Sequence, residues 1–190
     1  MALLFGLTGP PGCGKDAMAQ RLVEAHQFHR VAFADEIREA LLVLDPCVQG
    51  CDRLSEIVAD HGWEQAKKRW PEVRRLLQVL GTELGRDLHG TDCWVDMVFT
   101  KVDALSPDDR VVLSDVRFPN EAEAVRSRGG TVIRINRGIR PPEVVMDHAS
   151  ERESAALKAD HILPNLDSLD QFHGRIDRLV YRRLALRRTP

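Results

Sequence analysis

Four cysteines in 190 residues, at positions 13, 47, 51 and 93, are too irregularly spaced to give the paired ligands of a zinc ribbon. Cys47-x-x-x-Cys51 followed by His61 is a fragment of such a site at most. Free thiols in a reducing compartment are the expectation. No apolar run approaches the ~20 residues that a bilayer-spanning helix requires. The chain opens Met-Ala-Leu-Leu-Phe-Gly with no basic segment before the apolar stretch, so no membrane partner and a cytoplasmic location are expected. Positive charge is not in excess either. Lys+Arg number 27 against 29 Asp+Glu, a net charge of -2, which argues against a nucleic acid polymer bound through phosphate neutralisation. Repeats and low-complexity tracts are also missing. With 43% hydrophobic residues, the length suits one well-buried core, and a single domain over 1–190 is expected.

The apolar run "ALLFGLT" (2–8), cut by glycine and proline, reads as a buried parallel strand. A helix follows from Lys15 to about His26. "RVAFA" (30–34) reads as a second strand, and "DEIREALLVL" as a helix N-capped by Asp35. A variable helical stretch is expected over 46–70, and Pro71 opens a long helix. Further helices are expected from Asp92, over "NEAEAVRSRGG" and over 168–186, and strands at 110–115, 131–137 and 160–165. Strands alternating with helices imply an α/β fold with a mainly parallel, doubly wound sheet. The helical part, about 35–105, forms an insertion in it.

The stretch "GLTGPPGCGKDAMA" (6–19) carries Gly-x-x-x-x-Gly-Lys from Gly9 to Lys15 between the first strand and first helix. Glycines at 9, 12 and 14 let the backbone of Gly9, Pro10, Pro11, Gly12, Cys13 and Gly14 wrap with its amides inward, and the helix beginning at Lys15 adds its positive end. That arrangement suits phosphates, and a lysine at position 15 suits β- and γ-phosphate oxygens. A P-loop NTPase-type three-layer fold follows, with ATP and Mg2+ as expected cofactors. Asp16 stands where Ser or Thr is usual. It is either a magnesium ligand, direct or through water, or a first-turn acid complementing the helix dipole. Asp115, ending "VVLSD", is either the second acid at the metal or a turn-forming cap for the residues after it.

Regulatory GTPases carry Asn-Lys-x-Asp and, after the second acidic strand, Asp-x-x-Gly. Neither pattern is present, since Asp115 leads into Val-Arg-Phe. An ATPase of the motor or assembly type has no positive feature here. A small-molecule kinase needs an acceptor pocket and several arginines for the transferring phosphoryl group, and arginines are plentiful.

"GKD", "FADEIREAL" (33–41), "RRLLQVLGTELGRDLHGTDCWV" (74–95), "SDVRFPNEAEAV" (114–125) and "HASE" (148–151) together resemble the phage-type deoxynucleoside monophosphate kinases. The resemblance implies phosphoryl transfer from ATP to a deoxynucleoside monophosphate, in the host cytoplasm where the gene is a phage's. It also accounts for Asp16, because the family commonly has Asp after the loop lysine. It implies roles for Asp35 and Arg38 in acceptor binding. Ala17 is a departure, for the family often has Thr there and a hydroxyl that would assist magnesium.

The residues support the same reaction. A phosphate monoester has a second pKa of about 6 and is already an anionic nucleophile near neutrality, so no general base is required. A hydroxyl acceptor, as in dephospho-coenzyme A kinases, would need one, and Asp35 stands where such a base would sit. In the helix after Pro71, apolar Val73, Leu76, Leu77, Leu80, Leu84 and Leu88 form one stripe, and Gln78, Thr82 and Arg86 another. The second stripe is either a solvated face or the acceptor site, with Arg86 on phosphate and Gln78 on the base. Gly81 and Gly85 cost about 1 kcal/mol each in a helix relative to alanine and invite close approach of a ligand or another backbone. Trp94 is either a stacking wall for the base or core. Arg117 is the expected phosphate contact, and Arg137 or Arg140 belongs to a lid or to the solvated surface. His148 reads as a capping residue or a nucleotide contact. The bases accepted, the sugar preference and the oligomeric state do not follow from the sequence, which leaves a homodimer open.

Overall fold

The structure, a computed structural model, describes residues 3–50, 52–138, 153–154 and 156–187. In chain order the elements are β1 (Leu3–Thr8), α1 (Lys15–His26), β2 (Phe28–Val31), α2 (Phe33–Leu44), β3 (Cys47–Val48), β4 (Asp52–Arg53), α3 (Leu54–Arg69) and α4 (Pro71–Gln78). A π-helical segment (Val79–Leu88), α5 (Cys93–Asp103), β5 (Arg110–Leu113), α6 (Pro119–Ser127), β6 (Thr131–Asn136), β7 (His161–Pro164) and α7 (Leu169–Arg187) follow. They group into two compact units, Met1–Ala32 with Thr100–Pro190, and Phe33–Phe99.

The first unit is built on a five-stranded sheet in the order β2-β5-β1-β6-β7, and every pairing in it is parallel. β1 sits in the middle because all six of its residues are buried. Its alternation sorts the layers: Leu3, Phe5 and Leu7 share a core with Met18 and Leu22 of α1 and Phe172 and Ile176 of α7. The opposite face receives α6, where Val125 lies so close to Gly130 that a methyl group there would collide with it, and a methyl group on Gly6 would meet Val116 at 2.9 Å and Val125 at 3.1 Å. Helices therefore cover both faces, as a parallel sheet requires. The loops that leave β1, β5, β6 and β7 emerge at the strands' carboxyl ends, where open parallel sheets bind ligands.

β2 lies two residues earlier than the sequence suggests. Phe28 stacks on Phe5 with centroids 5.3 Å apart, and this contact sets the pairing Phe28↔Arg110 through Val31↔Leu113. The following helix then starts at Phe33, so Asp35 is not its N-cap but a first-turn acid beside Glu36, favourable to the helix dipole.

The second unit has its own core of Leu41, Val48, Leu54, Ile57, Ala66 and Val73. Residues 46–70, expected to be helical, begin with a β3–β4 hairpin, antiparallel through Cys47↔Arg53 and Val48↔Asp52. α3 is broken at Gly62, whose φ of 70° no helical residue adopts. The long helix from Pro71 holds α-helical winding only to Gln78 before its π-helical continuation.

One polar clamp ties α7 to α1, the helix that follows the glycine-rich loop. Arg21 donates from Nε and Nη2 to the two carboxylate oxygens of Asp177 at 3.1 and 2.7 Å, and His26 Nε2 lies 2.7 Å from Oδ1. The Arg21 hydrogen bonds hold the Asp177 carboxyl below the ordinary aspartate range, and His26 adds to this. A depressed carboxyl contributes stability above its unfolded pKa and loses it as pH falls through the folded value. Asp177→Asn is therefore expected to lower the unfolding temperature by a few degrees near neutral pH. The gap to the parent should close in acid, and melting curves across that pH range check it; a pH-independent gap would remove the ionic part of the clamp.

Candidate active site

Gly9, Gly12 and Gly14 have φ of 139°, 73° and 108°, conformations open to glycine at little cost. The loop they form closes around the side chain of Lys15. Its Nζ donates to Gly9 O at 2.7 Å and to Pro10 O at 2.9 Å, and lies 3.9 Å from Cys13 Sγ. Burial pushes Lys15 below the ordinary lysine value and the charge of Arg117 adds to this, while Asp16 and Asp115 oppose it. The loop lysine, both acids and Arg117 thus share one electrostatic neighbourhood. Cys13 is buried, which pushes its thiol up. Pro11, Gly12 and Asp16 are exposed, and Ala17 packs against the core.

The turn after β5 is fixed at three points. Ser114 N–H donates to Val31 O at 3.0 Å and Val116 N–H to Leu7 O at 2.9 Å. Arg117 and Phe118 donate their amides to Glu121 Oε2 at 2.7 and 3.1 Å. Capping of these two amides therefore falls to Glu121, which is 4% exposed and which the sequence reading leaves unassigned. Its signal is nonetheless present: an acid in the first turn behind Pro119, the usual place for a carboxylate that caps. Asp115 is half-buried and Arg117 exposed.

Two more residues reach the loop from the ends of β6 and β7. Arg137 donates from Nη1 to Gly12 O at 3.0 Å. Asn165, which no sequence pattern singles out, donates from Nδ2 to Cys13 O at 2.9 Å. Arg140 and His148 lie outside the described residues.

Asp35 and Arg38 form an ion pair, Nη1 to Oδ1 at 2.9 Å. Arg38 also faces Glu64 at 3.5 Å and lies over the ring of Trp63, 5.8 Å from its centroid. Gln78 is exposed, and Thr82 and Arg86 are half-buried. Gln78 ends α4, and Thr82 and Arg86 lie in the π-helical segment that continues it.

Trp94 is core, not a stacking wall. It is 7% exposed, its Nε1 donates to Gly81 O at 2.8 Å, and its ring lies on Gly85, where a Cβ would come within 2.3 Å of Nε1. The close approach that the two glycines permit is thus by side chains: Trp94 at Gly85, and Ile37 Cδ1 at 3.0 Å from a Cβ on Gly81. Helix propensity alone would make alanine better by about 1 kcal/mol at either site. Gly85→Ala is nonetheless expected to destabilise by about 1–3 kcal/mol, since an indole held by a hydrogen bond cannot yield. Gly81→Ala should be near neutral, because the end of an isoleucine can move. Denaturant titrations of both variants with tryptophan emission as the probe check this; equal effects would remove the indole from the explanation.

The sequence profile of the family described as deoxynucleotide monophosphate kinase matches residues 48–176. A protein of Acanthamoeba polyphaga mimivirus, whose name assigns it provisionally to the deoxynucleotide monophosphate kinases, is 30% identical over 197 residues, covering 92% of this chain and 94% of its own. Deoxynucleoside-5'-monophosphate kinase of Escherichia phage T5 is 43% identical over 53 residues, 28% of this chain and 21% of that one. Among solved structures, dephospho-CoA kinase from Campylobacter jejuni aligns over 94% of this chain and 96% of its own, at 17% identity and a TM-score of 0.44, a likeness too loose to separate one acceptor from another. With the profile and the mimivirus protein each covering most of its length, the chain belongs to the deoxynucleotide monophosphate kinase family.

Proposed function

We propose that this chain transfers the γ-phosphoryl group of ATP to a deoxynucleoside monophosphate, giving ADP and the deoxynucleoside diphosphate. The observation that carries the reading is the half-buried ammonium of Lys15, cradled by loop carbonyls at 2.7 and 2.9 Å and acted on by the charges of Arg117, Asp16 and Asp115. An oxygen of the acceptor phosphate attacks the γ-phosphorus, and the bond from that phosphorus to the β–γ bridging oxygen breaks, leaving its electrons on ADP. No proton needs removing, because the attacking phosphate is ionised near neutral pH. Loop amides and Lys15 hold the β- and γ-phosphates, and Arg117 neutralises charge on the group in transit.

Asp16 and Asp115 are the residues that would hold magnesium. Two hard carboxylates beside a phosphate loop fit an ion that keeps several waters and takes its remaining ligands from phosphate. Bound there, it would supply charge neutralisation between the β- and γ-phosphates. Arg86, Thr82, Gln78, Arg38 and Asp35 are the proposed acceptor contacts, with the half-buried guanidinium of Arg86 matched to a phosphate by its planar fork. Among the described residues, no helix is long and apolar enough to cross a membrane.

Coupled ADP release, measured against deoxynucleoside monophosphates, their ribose forms and dephospho-coenzyme A, tests the reading. Turnover is expected with at least one deoxynucleoside monophosphate, and Lys15→Met should lower it by about 10²–10³-fold without unfolding the protein. Turnover confined to dephospho-coenzyme A would replace the acceptor. A separate titration examines the acids: Asp115→Asn should raise the magnesium concentration at half-maximal rate more than it changes ATP affinity measured without metal. Unchanged magnesium dependence would take Asp115 out of the metal site.

A further inference from the structure

Asn165 lies just past β7, 152 residues from the carbonyl it holds. Its own amide donates to Asn136 O at 2.7 Å, which fixes its backbone to the end of β6. Its side-chain amide faces the Cys13 carbonyl oxygen, so the atom pointing there is the NH2 group, the only half of an asparagine amide that can donate. A peptide unit is planar and trans, with C=O and N–H pointing opposite ways. Holding the Cys13 oxygen on the Asn165 side therefore sends the Gly14 N–H to the other side of the same plane. The fit is close: a Cβ on Gly14 would stand 2.5 Å from Asn165 Nδ2, so Asn165 occupies the space that the missing side chain leaves.

We infer that Asn165 is a positioning residue for the phosphate-binding loop: it orients the Cys13–Gly14 peptide so that the Gly14 amide is presented to nucleotide phosphate. The inference rests on the proposal that this loop binds ATP. Arg137 has a smaller role at the preceding peptide, because its bond to Gly12 O is made by an exposed side chain. Asn165 makes its bond part-buried, from a backbone tied into the sheet. Orienting an amide before the ligand arrives removes a reorganisation cost from binding, so the effect belongs to ATP and ADP and not to the acceptor.

The test uses Asn165→Leu, similar in volume but without a donor, and Asn165→Asp, similar in shape with an acceptor and a charge. Both variants should weaken ADP binding, by about tenfold in equilibrium titration, and raise the KM for ATP in step. The acceptor KM and the unfolding temperature should stay near the parent's. In ligand-free protein, hydrogen exchange at the amides of residues 13–16 should accelerate in Asn165→Leu. Parent-like ADP affinity in the leucine variant with weakening only in the aspartate would mean that charge near the phosphates was responsible, and would overturn the inference. So would an acceptor KM that rises as much as that of ATP, or a loss of ADP affinity only in step with a lowered unfolding temperature. A parent protein that binds neither ATP nor ADP would refute the proposed function instead; hydrogen exchange at residues 13–16 would then decide the role of Asn165 by itself.

Discussion

An ammonium group taken out of water needs acceptors, and the first turn of this protein is organised around meeting that need. Lys15 is flanked by apolar Met18 and Ala19 of its own helix, both buried, and its charge is held by carbonyls of Gly9 and Pro10. Those carbonyls can converge on one nitrogen only because the glycines of the loop adopt φ values foreign to other residues. The sheet supplies the surroundings. With β1 central, the ends of β5, β6 and β7 deliver Arg117, Arg137 and Asn165 to the same edge, so that no segment has to travel far to serve the loop. A cation already partly desolvated and held by neutral carbonyls exchanges them for phosphate oxygens at lower cost than a fully hydrated one would.

The second unit shows how a rule of helical spacing can mislead. Between Val73 and Leu80 the apolar residues pack as an α-helical stripe should, against the core of that unit. Beyond it the burial passes to Gly81 and Gly85, leaving Leu84 and Leu88 44% and 69% exposed. The reason is Trp94. An indole brought against a helix backbone needs a place without a Cβ and a carbonyl to accept its N–H; Gly85 provides the first and Gly81 the second. The widened winding of this segment accompanies the insertion, and side-chain insertion is among the usual causes of departures from α-helical geometry.

What the sequence made legible follows from range. Apolar runs located the strands of the main sheet, and the contiguous Gly9–Lys15 pattern located the start of α1, because both signals are local. β2 shifted because a single aromatic contact, Phe28 on Phe5, outweighed the apolar character of residues 32–34. The Asp35 cap failed for the same reason, being inferred from a boundary set by that shift. Glu121 was within reach of a local rule. Asn165 was not: a side-chain amide meeting a carbonyl across 152 residues leaves no period and no spacing to read. The hairpin at Cys47–Arg53 escaped because strands of two residues are too short to alternate.

The chemistry of the acceptor decides which charges an enzyme of this kind requires. A hydroxyl must lose a proton as it attacks, so its kinase needs a carboxylate free to take one. A phosphate monoester brings its own negative charge, and the problem becomes bringing two anions together, which calls for cations. Asp35 stands where the proton acceptor of the first kind would be, but its Oδ1 is occupied by Arg38 at 2.9 Å, and that arginine continues to Glu64 at 3.5 Å. A carboxylate engaged in this way orients a guanidinium. Lys15 and Arg117 at the loop, and Arg38 and Arg86 in the helical unit, are cations of the kind that the proposed transfer between two phosphates calls for.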